Sequence, residues 1–294
     1  MGDLRLPCRA LVGRSSLADV RLASRRASSE HASVGWSGGR WVLRDLGSSN
    51  GTTVNGRPLL TRDRAPLSPG SRLCFGGEEE VWLLHDASPP EPCAVLLGPQ
   101  RYAWGQQSLL VLDGDEKREG EEGEPEASVF FDGHAWRLDD GASVQSPECG
   151  DIVSLKSGFW RLLLPELGHG GDARTAGCEL DLAQIEIRFR VSFGQLVSIA
   201  IAQGNQQLVL PARAHLNTLW ELAKVRAANA DDGWVSAYDL AARLRCSPEK
   251  VNVDIHRLRR LFQESGVHQA GRIIERDGAK RVRIGIQQIK WESQ

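Results

Sequence analysis

Apolar and polar residues alternate in short bursts along the first 85 positions, at Arg9–Val12, Val20–Leu22, Ala32–Val34, Arg40–Arg44, Arg72–Phe75 and Val81–Leu84. Gly, Ser, Asn and Pro separate the bursts, and brief period-two segments punctuated in this way predict an all-β sandwich. Near position 185 the pattern changes. Ile185, Ile187, Phe189 and Val191 alternate, Val197, Ile199 and Ile201 follow, then Leu208 and Leu210. This predicts a three-stranded meander with turns near Phe193-Gly194 and Gln203-Gly204-Asn205. A helical period then takes over. From His215 to Ala228, Leu216, Leu219, Leu222 and Ala223 share one face. Asp232-Gly233 breaks that helix, and Ser236 with Asp239 caps a second one carrying Leu240, Ala241 and Leu244. Ser247-Pro248-Glu249 starts a third helix as cap, N1 proline and first-turn acid. It buries Val251, Ile255, Leu258 and Phe262 and carries Lys250, Asn252, His256, Arg257, Arg259 and Arg260 on its other faces. A basic hairpin follows, Arg272–Arg276 and Lys280–Ile284 about a turn at Asp277-Gly278.

The middle third repeats the first. Pro7–Arg14 is echoed by Pro92–Pro99, Ala32-Ser33-Val34 by Ala127-Ser128-Val129, and Trp41–Asp45 by Trp136–Asp140. Ser68-Pro69 with Trp82-Leu83-Leu84 is echoed by Ser146-Pro147 with Trp160-Arg161-Leu162. Four matches in one order predict a duplicated β-domain. The second copy has lost polar residues of the first: Pro99 stands for Arg14, and Gly123-Glu124-Pro125-Glu126 for Ser28-Ser29-Glu30-His31. The Ser-Ser-Asn-Gly-Thr segment is absent between Asp140 and Ser146. An acidic tract around 113–126 reads as a solvated loop.

Length and charge refine this picture. A chain of 294 residues holds two or three domains. Its net charge of −2 conceals +4 over residues 1–85, −12 over 86–185 and +6 over 186–294, so the C-terminal end suits an anionic partner. The six cysteines are scattered, none at zinc-ligand spacing, which predicts a reducing compartment and no metal. With no apolar leader and no 18-residue apolar run, a cytoplasmic protein without membrane partners is expected.

The segment Asp45-Leu46-Gly47-Ser48-Ser49-Asn50-Gly51-Thr52-Thr53-Val54-Asn55-Gly56 carries the clearest chemistry. Together with Gly13-Arg14 and Ser28-Ser29-Glu30-His31-Ala32, it offers a guanidinium fork, hydroxyls and a Gly/Asn-rich loop suited to a phosphate dianion. This set resembles a forkhead-associated (FHA) domain, a module that binds phosphothreonine peptides. The resemblance implies that Arg14, Ser28, Ser29, Ser49 and Asn50 contact the phosphopeptide. It also implies that His31 braces the loops internally and that Asn55 serves first as a turn residue. Residues 89–166 then read as a degenerate FHA-like domain unable to hold phosphate.

The run Val251–Arg260, with the preceding meander and terminal hairpin, resembles the winged helix-turn-helix of OmpR-type response regulators. That likeness implies a third helix in the major groove and a hairpin wing on the backbone. The implied DNA contacts are Lys250, Asn252, His256, Arg257, Arg260, Lys280 and Arg281, with Asp254 toward the groove.

The expected architecture is multidomain: an FHA sandwich at 1–88, a degenerate β-domain at 89–166, a linker at 167–184 and an α+β winged helix-turn-helix domain at 185–294. The expected function is a bacterial-type transcription regulator that docks on a phosphothreonine of a Ser/Thr kinase or its substrate and binds double-stranded DNA, with homodimerisation left open. The alternative is a kinase-linked adaptor whose winged helix contacts protein. No cofactor is implied. Walker-type loops, Gly-x-Ser-x-Gly, His-Glu-x-x-His and kinase catalytic motifs are all absent, so no enzyme is expected. Asp132 and His134 beside Asp139 and Asp140 read as a hairpin turn.

Overall fold

The structure, a computed structural model, describes residues 3–60, 63–98, 100–114, 123–166, 180–191, 197–228 and 233–291. They fall into two compact units, one of residues 3–93 with 163–166, the other of 94–162 with the described residues from 180 onward.

The N-terminal unit contains strands β1 (Arg9–Gly13), β2 (Val20–Arg21), β3 (Ala32–Ser37), β4 (Arg40–Asp45), β5 (Thr52–Val54), β6 (Arg57–Leu59), β7 (Arg64–Leu67), β8 (Arg72–Phe75) and β9 (Val81–Leu83). They form a five-stranded sheet, β2-β1-β3-β4-β7, and a four-stranded sheet, β6-β5-β8-β9. Alternation dictates the packing: Ala10, Val12, Val34, Trp41 and Leu43 point inward and join Leu73 and Phe75 of the second sheet in one core. Leu11, Ser33 and Arg44 take the opposite face. Strands β5 to β7 were not expected, because Thr52–Leu67 lacks apolar alternation and its Asn-Gly reads only as a turn. Asn55, at φ 50°, makes that turn, and its side chain accepts the Arg72 amide at 2.8 Å.

The middle of the chain forms β10 (Cys93–Leu96), β11 (Arg101–Trp104), β12 (Leu109–Asp113), β13 (Pro125–Phe131), β14 (Trp136–Asp139), β15 (Val144–Gln145), β16 (Ile152–Leu155) and β17 (Gly158–Leu163). These make the sheets β11-β10-β17-β16 and β12-β13-β14-β15. The registers repeat those of the first sandwich. Val34 lies opposite Leu43 and Val129 opposite Leu138; Trp36 faces Trp41 and Phe131 faces Trp136. Asp45 accepts the amides two and three residues on, and so does Asp140. Gly70 donates to Leu84 and Leu84 to Ser71, just as Gly150 donates to Leu162 and Leu162 to Asp151.

One of the four sequence matches is corrected. Pro92–Pro99 does not correspond to Pro7–Arg14, because β10 pairs with β11 and β17, away from β13. The strand beside β13 is β12, with Leu112 opposite Ala127 as Val12 is opposite Ala32. Gly114, two residues beyond Leu112, therefore stands where Arg14 stands, while Pro99 lies outside the described residues. That position of the middle strands thus carries no guanidinium. Asp132 and His134 do form a turn, with the Asp132 carboxylate accepting the His134 and Ala135 amides at 2.9 Å.

The C-terminal part continues with β18 (Leu180–Asp181), β19 (Glu186–Val191), β20 (Val197–Gln203), β21 (Gln206–Leu210), α1 (Leu216–Ala228), β22 (Val235–Ser236), α2 (Ala237–Leu244), α3 (Pro248–Glu264), β23 (Val267–His268), β24 (Ile274–Arg276), β25 (Arg281–Ile284) and β26 (Gln288–Trp291). A short 3-10 turn, Ala270–Arg272, precedes β24. The caps form as expected: Ser236 accepts from Asp239 N and Ser247 from Lys250 N. The meander gains a fourth strand, since β26 pairs in parallel with β19. The expected linker at 167–184 is outside the described residues up to 179, and its end, β18, pairs in parallel with β23. Val251, Ile255, Leu258 and Phe262 of α3 share one core with Ile187, Leu219 and Leu222, and Leu109 and Phe130 of the middle strands join it. No described helix is long and apolar enough to cross a membrane.

Candidate functional site

Three loops of the N-terminal unit converge where β1 ends. The amides of Arg14 and Ser15 donate to the carbonyls of Ser28 and Ser29, both at 3.0 Å. Gly13 permits the approach: a Cβ there would lie 2.1 Å from the Ser29 carbonyl oxygen. Arg14 Nε donates to the Ala27 carbonyl at 2.8 Å, which fixes the guanidinium plane while the side chain stays at the surface. Ser28 Oγ accepts the Ser49 amide at 3.1 Å, so its own hydroxyl proton remains available to a ligand. Asn50 Nδ2 donates to the Arg26 carbonyl at 2.8 Å and ties the third loop to the second. Arg14, Ser28, Ser29, Ser49 and Asn50 are thus held in one hydrogen-bonded frame, with Arg14, Ser29, Ser49 and Asn50 exposed.

Behind them two buried groups hold the loops. His31, fully buried, accepts the Ser28 amide at Nδ1 (3.0 Å), so its proton sits on Nε2 and faces the Gly51 carbonyl at 3.2 Å. Burial lowers its pKa below 6.5, which keeps the imidazole neutral and this tautomer in place. Asp45 accepts from Gly47 N, Ser48 N, Ser48 Oγ and Thr52 Oγ1 at 2.6–2.9 Å. Burial pushes its carboxyl up, but these donors outweigh it and hold the pKa below 3.8. The anchoring roles of Asp45, Thr52 and Glu80, which accepts the Ala23 and Ser24 amides, were missed by sequence reasoning. For Asp45 a signal existed: Asp followed two residues later by Gly is an Asx-turn pattern.

The expected DNA-contacting residues divide into two groups. Arg257 and Lys280 are exposed, and Arg281 is exposed beside Asp277, its Nε donating at 2.8 Å. Lys250 is partly exposed and pairs with Asp254. The other three face the β12-β13-β14 sheet. His256, 1% exposed, shares a 2.6 Å hydrogen bond with Ser128; Arg260 meets both oxygens of Asp113 at 2.7 Å; and Asn252 accepts from Arg276 at 2.8 Å. In this arrangement the face carrying them is covered, because the sheet occupies the space where a groove was expected. Two further expectations are corrected. Asp254 is buried, not groove-facing, because it lies on the Val251–Leu258 stripe, where Thr218 Oγ1 donates to it at 3.1 Å. Arg259 is fully buried rather than solvated; it lies 2.9 Å from Asp139, donates to the Gly271 and Ile274 carbonyls, and sits over the Phe130 ring.

Asp139 and His256 titrate far from their usual ranges. Burial raises the Asp139 carboxyl, but Arg259 and Arg276 outweigh it and set the pKa at about 2. Burial drives His256 down to about 3; Asp139 opposes this, and the guanidiniums of Arg259, Arg276 and Arg260 reinforce it. The folded state thus binds fewer protons at His256 than the unfolded chain. Stability from this group is complete above pH 6.5 and falls as pH drops toward 3, by up to about 1.4 kcal/mol per pH unit. Urea unfolding of the C-terminal unit at pH 7, 6, 5 and 4 is expected to show this slope, and His256→Gln to flatten it. An unchanged slope in the variant would place the titration elsewhere.

Residues 10–76 match the family model of the FHA domain. Over 63 residues the chain is 33% identical to the FHA domain-containing protein FhaB of Mycobacterium tuberculosis, covering 21% of this chain and 41% of that one. Over 54 residues it is 41% identical to Protein FraH of Nostoc sp., covering 18% and 19%. The chain therefore spans less than half the length of either relative. Among solved structures, the FhaA FHA domain complexed with the intracellular domain of Rv3910 is 31% identical over 27% of this chain and 81% of that one, with a TM-score of 0.24. Mycobacterium tuberculosis EmbR in complex with a low-affinity phosphopeptide is 25% identical over 28% and 20%, with a TM-score of 0.25. The N-terminal unit carries an FHA domain, and FHA domains bind phosphothreonine peptides in signalling.

Proposed function

We propose that this chain is a phosphothreonine-dependent regulator in which the FHA domain receives a Ser/Thr kinase signal and the C-terminal part, read as a winged helix-turn-helix, binds DNA. The observation that carries the first half is the frame joining Arg14, Ser28, Ser49 and Asn50, which sets an exposed guanidinium and serine hydroxyls on converging loops. Such a frame suits a tetrahedral dianion on a flexible side chain and offers nothing to an unmodified threonine. The repeated registers support the reading of residues 89–166 as a second, degenerate FHA-like domain. Three helices, two of them serine-capped, three strands of a four-stranded sheet before them and a basic hairpin after them support the winged-helix reading of residues 185–291. The scattered cysteines suit a cytoplasmic protein, and the binding-module character of the FHA domain suits a non-enzymatic one.

A second reading keeps the phosphopeptide site and makes the chain an adaptor whose winged helix contacts protein. What favours it is the covered face of α3, with His256, Arg260 and Asn252 engaged inside the unit. Two titrations of the full chain decide. A degenerate phosphothreonine peptide pool is expected to bind, and its unphosphorylated and phosphoserine counterparts at least tenfold more weakly. Duplex DNA measured at two salt concentrations is expected to show a steep salt dependence from counterion release. Equal binding of phosphorylated and unphosphorylated pools would overturn the first half, and salt-insensitive duplex binding would favour the adaptor.

A further inference from the structure

We infer that the middle sandwich is the built-in partner of α3, a cover that competes with nucleic acid for the same arginines; this rests on the DNA-binding reading. In the first sandwich the outer face of β1-β3-β4 carries Ser33, Gly35 and Arg44, half-buried or exposed. At the matching register positions the second sandwich has Ser128, Phe130 and Asp139, and all three are buried. An outward face has become a helix-docking face. Arg44 has been replaced by a carboxylate, and Gly35 by an aromatic ring that carries Arg259 above it.

The docked surface is polar where it meets α3. Asp113 grips Arg260 through both oxygens at 2.7 Å, and Asp139 lies 2.9 Å from Arg259 and 3.1 Å from Arg276. A phosphodiester engages guanidinium donors with the same bidentate chemistry. The contact is also close. A Cβ on Gly271 would fall 2.3 Å from Phe130 Cβ. Two guanidiniums share the single Asp139 carboxylate, so the buried cluster keeps a net positive charge that a polyanion compensates better than the sheet does. The cover holds α3 in a latent state, and separation of the sandwich from α3 presents Arg260, His256 and Asn252 together.

The test uses the full chain and a random-sequence 30-base-pair duplex pool. Gly271→Leu with Asp113→Arg opens the contact by wedging Phe130 away and repelling Arg260. This variant is expected to bind the duplex pool at least tenfold more tightly than wild type, with a steeper salt dependence. Adding Arg260→Ala is expected to remove that gain. If Gly271→Leu melts the unit, Asp113→Arg alone carries the test with a smaller expected gain, because it alters only the partly exposed rim. Tight binding by wild type that neither Asp113→Arg nor Arg260→Ala changes would overturn the cover and leave DNA binding standing. Failure of the opened chain to bind duplex DNA at all would overturn the DNA-binding reading and the cover with it.

Discussion

Asp139→Asn is expected to destabilise the C-terminal unit by about 3–5 kcal/mol, the usual cost of leaving a buried charge without its counter-ion. The substitution keeps the shape of the side chain and its acceptor for the Gly141 amide, 2.9 Å away. What it removes is the only carboxylate found beside Arg259 and Arg276 among the described residues, both of whose side chains are almost wholly buried. Arg259 keeps its carbonyl partners and Arg276 keeps Asn252, so the loss is electrostatic and not one of packing. Replacing all three charges with apolar residues of similar volume, Asp139→Leu with Arg259→Met and Arg276→Met, is expected to recover most of the stability. Urea unfolding of the full chain reads both effects in the transition of the C-terminal unit, while that of the N-terminal unit stays in place. A cost below about 1 kcal/mol for Asp139→Asn would mean that water reaches the guanidiniums.

Arg14→Ala is expected to weaken phosphothreonine-peptide binding by at least about 2 kcal/mol, roughly 30-fold or more, while the FHA domain stays folded. The fold survives because the Arg14 amide still reaches Ser28 and the side chain lies at the surface, where it packs no core. The affinity falls because a bidentate, permanently charged donor is lost and the serine hydroxyls cannot replace it. Arg14→Lys keeps the charge and loses the fork, so an intermediate affinity is expected. Isothermal titration with one phosphothreonine peptide measures all three chains. Undiminished binding by Arg14→Ala, with thermal unfolding unchanged, would place the phosphate elsewhere.

The residues of the Arg14 frame stand out in the sequence because they fall in three turn-rich segments, Gly13-Arg14, Ser28-Ser29 and Asp45–Gly51. The bonds that join the loops run from Ser49 to Ser28 and from Asn50 to Arg26, over 21 and 24 positions, whereas Asp45 and Gly47 close their turn within three. The caps of α2 and α3 were readable for the same reason. The face of α3 was not. Periodicity separates apolar from polar stripes, and Arg259, Arg260, His256 and Asn252 are all polar, so the rule turns them to solvent. Arg259, Arg260 and His256 are engaged by Asp139, Asp113 and Ser128, more than a hundred positions away, which no window of sequence contains. Strand β26 was missed because Gln288-Ile289-Lys290-Trp291 lies at a sheet edge and is mostly exposed, with no apolar run to mark it.

The Arg276–Asp139 contact spans 137 residues of chain. At a synthesis rate of about 5–20 residues per second, the outer face of β13 and β14 emerges roughly 7 to 27 seconds before the arginine that covers it. During that interval the face must remain soluble on its own. Ser128 and Asp139 suit a surface that waits in water, whereas a leucine patch in their place would offer nascent chains a site for aggregation. The buried carboxylate thus has an early life as an exposed one. A docking face that flanks its one aromatic ring, Phe130, with Ser128 and Asp139 costs some final stability and keeps the unfinished protein from sticking before its arginines arrive.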